Sequence, residues 1–247
     1  MKLAELTWPD VEKLSRDIVI VCPIAALEQH SRHLPFFTDS ILCDGVVTRL
    51  EAALPNDILL LPVQWLGASA HHLGMAGTLS AEPETYLRML CEPLRCLLRN
   101  GFRRVLIVNG HGGNIDGFHL ALRQLAVEFP TALLSGTSYW DFAEKEIAAI
   151  LEGKRKGVGH ACEFETSMML HLRPELVRQN EIADDEIISQ SESLRSLFIP
   201  LDMKRQTRHG GTGQPTLATA EKGKKLMEAV VKRAVEIVQA ITTKSLA

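Results

Sequence analysis

With 247 residues, 46% of them apolar, the chain has enough material for the core of one large domain. Its formal net charge of −3 gives no electrostatic reason to expect nucleic acid or an anionic membrane as partner, and its one compact basic run, Lys154-Arg155-Lys156, reads as a solvated loop. The five cysteines are odd in number and form no CxxC pair, which excludes a disulfide framework and a thiolate zinc site. The N-terminal stretch is mixed and charged with no apolar h-region, and no apolar run is long enough to span a bilayer, so the expected location is the cytoplasm.

In chain order, short apolar runs alternate with amphipathic stretches. Ile18 to Leu27 is the first run, Ile58 to Leu66 the second and Val105 to Val108 the third, while Thr131 to Ser135 begins a fourth. Runs without polar alternation read as strands buried on both faces, which is the pattern of a parallel sheet. Helical spacing covers Asp39 to Leu54, Glu84 to Arg99, Ile115 to Phe129 and Ala220 to Thr242. In the last of these, Leu226, Val230, Ala234, Ile237 and Ile241 form one stripe. Strands alternating with helices predict an α/β fold, a single-domain three-layer α/β/α sandwich around a mainly parallel central sheet, with no boundary that would split the chain.

Each expected strand is followed by a polar loop. The first carries Glu28-Gln29-His30, the second Ser69, His71 and His72, the third Asn109-Gly110-His111-Gly112-Gly113-Asn114, and the fourth Ser138, Tyr139 and Trp140. Ligands of open α/β sheets bind beyond the carboxyl ends of the strands, so these loops should converge. Glu28 and His30 are two residues apart and share a face if the segment is extended. Asp39 falls at the expected start of the next helix, where an acidic side chain also suits the helix dipole. Carboxylate oxygen with imidazole nitrogen suits zinc, manganese or iron, although a surface Glu-x-His beside a helix-capping Asp would look the same.

The loop around His111 could be taken for a phosphate cradle. Its glycine spacing does not match GxGxxG, and a bulky imidazole stands where backbone should meet pyrophosphate, so His111 reads as a metal ligand. In the segment from Gly159 to Ser167, Glu163 is a candidate ligand or general base, and His160 could orient it or carry a proton; an acidic first helical turn is the plain alternative. His72 is open between contacting substrate and bracing the ligands, and Trp140 between core and pocket wall. Ser69 lacks a GxSxG setting, which removes it as a nucleophile and leaves it a substrate contact.

In order, Glu-x-His with His33-Leu34-Pro35 and Thr38-Asp39, then Ser69-x-x-His72 with Gly77-Thr78, then Asn109 to Asn114, then His160-Ala161-x-Glu163-x-Glu165-Thr166-Ser167 resemble the creatininase family of amidohydrolases over roughly residues 17 to 223. The branch it resembles includes formamidopyrimidine deformylases and the mycofactocin maturation peptidase. The resemblance implies a dinuclear centre of two divalent ions, zinc first and manganese or iron as alternatives, with Glu28 and His111 on one ion, His30 on the other and Asp39 between them. It implies a homo-oligomer, often a hexamer; a small-molecule amide is the expected substrate, with Ser69, His72, Gly112 and Trp140 as the candidate contacts. Where creatininases proper carry a glutamate two residues after the loop histidine, this chain has Gly113. Glu163 is the expected substitute, as fifth ligand and, with His160, as catalytic group. The expected reaction is hydrolysis of a cyclic amide, lactam or formamide. A metallopeptidase acting on a modified peptide and a non-catalytic metal- or nucleotide-binding α/β protein are the alternatives.

Overall fold

The computed structural model describes residues 1–188, 196–197, 199–200 and 202–246. Four strands, β1 (Val19–Ile24), β2 (Ile58–Leu60), β3 (Arg104–Asn109) and β4 (Leu133–Ser138), form one parallel sheet in the order β2-β1-β3-β4. The register sets Val19 beside Ile58 and Arg104, and Arg104 beside Leu133. Eight α-helices accompany them among the described residues: α1 (Trp8–Glu12), α2 (Thr38–Ala53), α3 (Pro83–Arg99), α4 (Ile115–Glu128), α5 (Glu144–Ile150), α6 (Glu163–Leu172), α7 (Met203–Gln206) and α8 (Ala220–Thr243).

Side-chain alternation along the strands builds two apolar layers. Val19, Val21, Ile58, Leu60, Leu106 and Val108 face a core shared with α2, α6 and α8. Ile18, Ile20, Leu59, Val105 and Ile107 face a second core shared with α3 and α4. The result is the expected α/β/α layering, and it explains why the strand sequences show no polar face. Helix α8 starts where the Thr219 side chain accepts from the Lys222 amide, and it buries Leu226, Val230, Ala234, Val238 and Ile241. Val238 faces inward more completely than the expected Ile237. Leu226 is fully buried, so Leu226→Ala should cost about 2–5 kcal/mol.

Two strands are shorter than their apolar runs. β1 stops at Ile24 and the chain leaves the ladder, with Leu27 pairing antiparallel to Leu79. β2 stops at Leu60, two residues before Pro62, which has no N–H to donate. Because β2 lies on one side of β1 and β3 on the other, the connections after β1 and β3 diverge. The crevice at this reversal is where open α/β sheets place their ligands.

Candidate metal centre

The loop after β1 turns sharply to present Glu28 and His30 inward. Ser31 takes a left-handed conformation at φ 57, and the amides of Glu28 and Leu34 donate to the carbonyls of Phe36 and His30. The loop after β3 is held by its two asparagines. Asn109 Oδ1 accepts from the His111 amide at 3.0 Å, and Asn109 Nδ2 donates to the His111 carbonyl at 2.7 Å. Asn114 bridges to the neighbouring loops, accepting from Ala68 N at 2.9 Å and donating to Ala25 O at 3.0 Å. Gly110 lets this loop approach α2, since a Cβ there would stand 2.7 Å from that of Cys43 and 3.1 Å from the Asp39 carbonyl. His111 is thereby set against Asp39.

Three carboxylates and several imidazoles meet here. Asp39 reaches two histidines, with Oδ1 3.0 Å from His30 Nε2 and Oδ2 3.1 Å from His111 Nδ1. Glu28 Oε1 lies 3.3 Å from His111 Nδ1, 3.3 Å from His72 Nε2 and 3.4 Å from His160 Nδ1. Glu165 Oε1 lies 3.8 Å from His30 Nε2. Glu28, His30, Asp39, His72, His111 and Glu165 are all buried.

The ring orientations say what belongs between these groups. His30 Nδ1–H donates to the Glu28 carbonyl at 3.1 Å, so its Nε2 turns a lone pair toward Asp39 and Glu165. His111 Nε2–H points at the Ala68 carbonyl and Ser69 Oγ, both at 3.3 Å, so its Nδ1 lone pair faces Glu28 and Asp39. His160 Nε2–H donates to the Gln29 carbonyl at 2.7 Å, leaving its Nδ1 toward Glu28. Lone pairs facing carboxylates in a buried site repel unless a cation lies between them. Both oxygens of Glu28, Oδ2 of Asp39 and Oε2 of Glu165 are buried without a hydrogen-bond partner among the described residues. An outer N–H anchored on a carbonyl is the usual support of a metal-ligating histidine. The donors are nitrogen and oxygen, without thiolate, and fit divalent zinc, manganese or iron.

Protonation follows the same need for positive charge. Burial works against a charged His30 and His111, but the carboxylates outweigh it: His30 is held well above the ordinary histidine range by Asp39 and Glu165, and His111 is pushed up to about 10 by Glu28 and Asp39. Burial also opposes ionisation of Asp39, which His30 and His111 nevertheless hold far below the usual carboxylate range. His160 goes the other way, down to about 3, through burial and then the neighbouring charge of His30. His72 is likewise driven down, by burial and then His160.

The expected site residues divide into those that meet and those that do not. Glu28, His30, Asp39 and His111 come together, and His160 stands beside them with its ring 4.3 Å from that of His30. His72 braces the group: its Nδ1 accepts from the Gln29 side-chain amide at 2.7 Å, which puts its proton on Nε2, toward Glu28. Ser69 lies behind His111, and Gly112 borders open space, where a Cβ would meet nothing within 4 Å. Trp140 is half-buried and packs edge-on to Tyr139 against the core. Glu163 does not join the cluster. Its Oε1 accepts from Lys222 Nζ at 2.6 Å and its Oε2 from Gly153 N at 2.8 Å, so it ties α6 to α8 and to the 150s loop. Two helical positions differ by about 200° around the axis, and Glu165 is the carboxylate that turns inward.

Sequence reasoning passed over Gln29, Asn109, Asn114 and Glu165 as working residues. Gln29 spends both amide hydrogens, on Gly210 O at 2.8 Å and His72 Nδ1, and its Oε1 accepts from Ser31 N at 2.9 Å. Glu165 shares the first turn of α6 with Glu163, and nothing in the local sequence separates the two. His33, expected to be structural, bonds Thr166 Oγ1 at 2.9 Å, and burial followed by the charge of His30 takes it down to about 4.

The creatininase family model, described as creatinine amidohydrolase, matches residues 4–238. A creatinine amidohydrolase of Pseudomonas putida is 31% identical, the match covering 93% of this chain and 92% of that one. A mycofactocin precursor peptide peptidase of Mycobacterium ulcerans is also 31% identical, covering 91% of this chain and 82% of its own. A manganese form of creatininase has the same fold with a TM-score of 0.83 and 27% identity, covering 98% of this chain and 99% of that one. A creatininase variant of Zn–Zn type matches with a TM-score of 0.83 and 26% identity, covering 98% of each chain. With a matching family model over most of its length and the same layered fold, the chain belongs to the creatininase family.

Proposed function

We propose that the chain is a metal-dependent amidohydrolase that cleaves a C–N amide bond in a small molecule, a cyclic amide, lactam or formamide, using two divalent ions and an activated water. The observation that carries this reading is the pair of poles on either side of Asp39. Glu28 and His111 form one pole, and His30 and Glu165 the other, with an Asp39 oxygen directed to each. Three carboxylates offset three of the four positive charges of two divalent ions, which a single ion would not require. Glu165 takes the ligand role that the sequence suggested for Glu163. Zinc is the first choice of metal, with manganese or iron as alternatives.

Bound ions at these positions supply a water acidified to a pKa of about 7 and polarise the amide carbonyl. The chain's residues do the rest. His160, anchored through Nε2 on the Gln29 carbonyl, is free at Nδ1 to take a proton and pass it to the leaving nitrogen. Gln29 fixes the ring of His72, whose Nε2 faces Glu28 at 3.3 Å. Ser69 fixes the ring of His111 from behind, and the Gly112 turn leaves its side-chain face open for substrate and for an oxyanion.

Creatinine is not the favoured substrate. The glutamate that creatininases proper carry two residues after the loop histidine has no room at Gly113, where a Cβ would stand 2.2 Å from the Ala68 carbonyl and 2.5 Å from His111 Nε2. The peptidase reading keeps support from the mycofactocin peptidase relative. The test is a screen of formamides, lactams, cyclic amides and short peptides with zinc-, manganese- and iron-loaded protein and a chelated control. Chelator-sensitive turnover of small amides supports the proposal, turnover of peptides alone moves the reading to a peptidase, and metal-independent turnover refutes it.

A further inference from the structure

His71 belongs to none of the roles described above. It is half-buried beside the centre, in the short helical turn Ala70–His72 that follows β2. Its ring lies nearly parallel to that of His111, with centroids 5.6 Å apart and planes at 11°, and it packs against His72 at 4.2 Å. Its two neighbours spend their ring nitrogens on Gln29, Glu28, Ala68 and Ser69, whereas His71 has neither a hydrogen bond nor an ion pair among the described residues. One of its nitrogens lies within 4.8 Å of ligand atoms of both Glu28 and His111. His71 forms no ion pair with Glu28, which itself lies 3.3 Å from His111, so its nitrogen borders the pole they form without closing on it. Gly113 completes the arrangement: besides the Ala68 carbonyl and His111, a Cβ there would meet His71 Cε1 at 2.8 Å. The His71 imidazole thus occupies the side from which a residue at 113 would enter.

We propose that His71 is a specificity-determining substrate contact, donating or accepting a hydrogen bond with a polar group next to the amide carbon held at the Glu28–His111 pole. The substrate class this selects is an amide with a hydrogen-bonding atom on or beside its nitrogen, rather than a plain alkyl amide. The inference rests on the metal-centre reading proposed above.

The test uses acetohydroxamic acid as probe, which carries such a group, and acetate, which does not. Binding of each to zinc-reconstituted protein is measured by calorimetry for the wild type, His71→Ala and His71→Phe, with zinc content and a thermal melt for every sample. The expected result is unchanged zinc content, acetohydroxamate affinity about tenfold weaker in both variants, and unchanged acetate affinity. The phenylalanine variant keeps a stacked ring without a hydrogen-bonding nitrogen, so wild-type hydroxamate affinity there would overturn the proposal, as would equal losses for the two probes. Loss of zinc from the variants alone would also overturn it, because His71 would then be a ligand. Failure of the wild type to take up zinc would sink the metal-centre reading beneath it, and the zinc assay identifies that case.

Discussion

Glu163→Gln and Glu165→Gln should have opposite effects, although the two residues are neighbours on one helical turn. Glu163 receives Lys222 at 2.6 Å and the amides of Glu152 and Gly153 at 3.0 and 2.8 Å, the last contact buried and the other two part-buried. Breaking a buried ion pair costs about 3–5 kcal/mol when one charge is left alone. Here Lys222 keeps Glu152 at 3.3 Å and the Leu217 carbonyl at 2.7 Å, and the glutamine oxygen still accepts an amide, so about 2–3 kcal/mol is expected. With an unfolding entropy of about 2.1 cal/mol/K per residue, this lowers Tm by roughly 4–6 °C. Glu165 makes no such framework contacts, and its Oε2 is buried without a partner among the described residues. Glu165→Gln should keep the melting temperature of the metal-free protein within about 2 °C while one of the two ions is lost. Differential scanning calorimetry on chelated protein and elemental analysis on loaded protein read the two effects separately. A Glu163→Gln protein that melts normally and loses metal would make Glu163, not Glu165, the ligand.

The Glu163 carboxyl is opposed by burial, yet Lys222 and the two amides hold it below its ordinary 4.5, so its contribution is present above that pH and lost as pH falls through the lowered value; thermal melts of wild type and Glu163→Gln should converge there. In the metal-free protein the shift of His111 from 6.5 to about 10 has the opposite sign, giving stability that is full below pH 6.5 and fades toward pH 10. Metal uptake at pH 7 should therefore release protons from His30 and His111, seen as a dependence of calorimetric heat on buffer ionisation enthalpy, and no release would contradict the ligand geometry. Gly113→Ala should cost about 1–3 kcal/mol of stability from its contact with the Ala68 carbonyl, and a normal melt would show that this turn has slack. The protein is expected to form a homo-oligomer, and a monomer by light scattering would count against the hexamer that the family resemblance implied.

Much of this arrangement was legible because it rests on local chemistry. Apolar runs without polar alternation can only be strands covered on both faces, and α3, α4 and α8 carry apolar stripes that both cores use. Glu28, His30, Asp39 and His111 were readable because each follows or opens an element at the carboxyl edge of the sheet. Glu165 was not readable because every residue from Glu163 to Met169 is buried. A helix covered on all sides offers no amphipathic phase, so nothing local tells which of two acidic residues faces the centre. Gln29 and Asn114 escaped because their partners lie far along the chain, at Gly210 and at Ala25 and Ala68, and only the folded packing joins them.

Glu28 with His111 would hold one divalent ion and His30 with Glu165 a second, with Asp39 lying between the two pairs. Anomalous diffraction at the zinc edge from crystals of zinc-loaded protein tests it directly. Two anomalous peaks per chain are expected, one beside each pole, with Asp39 in reach of both. A single peak, or a peak at Glu163 rather than Glu165, would contradict it.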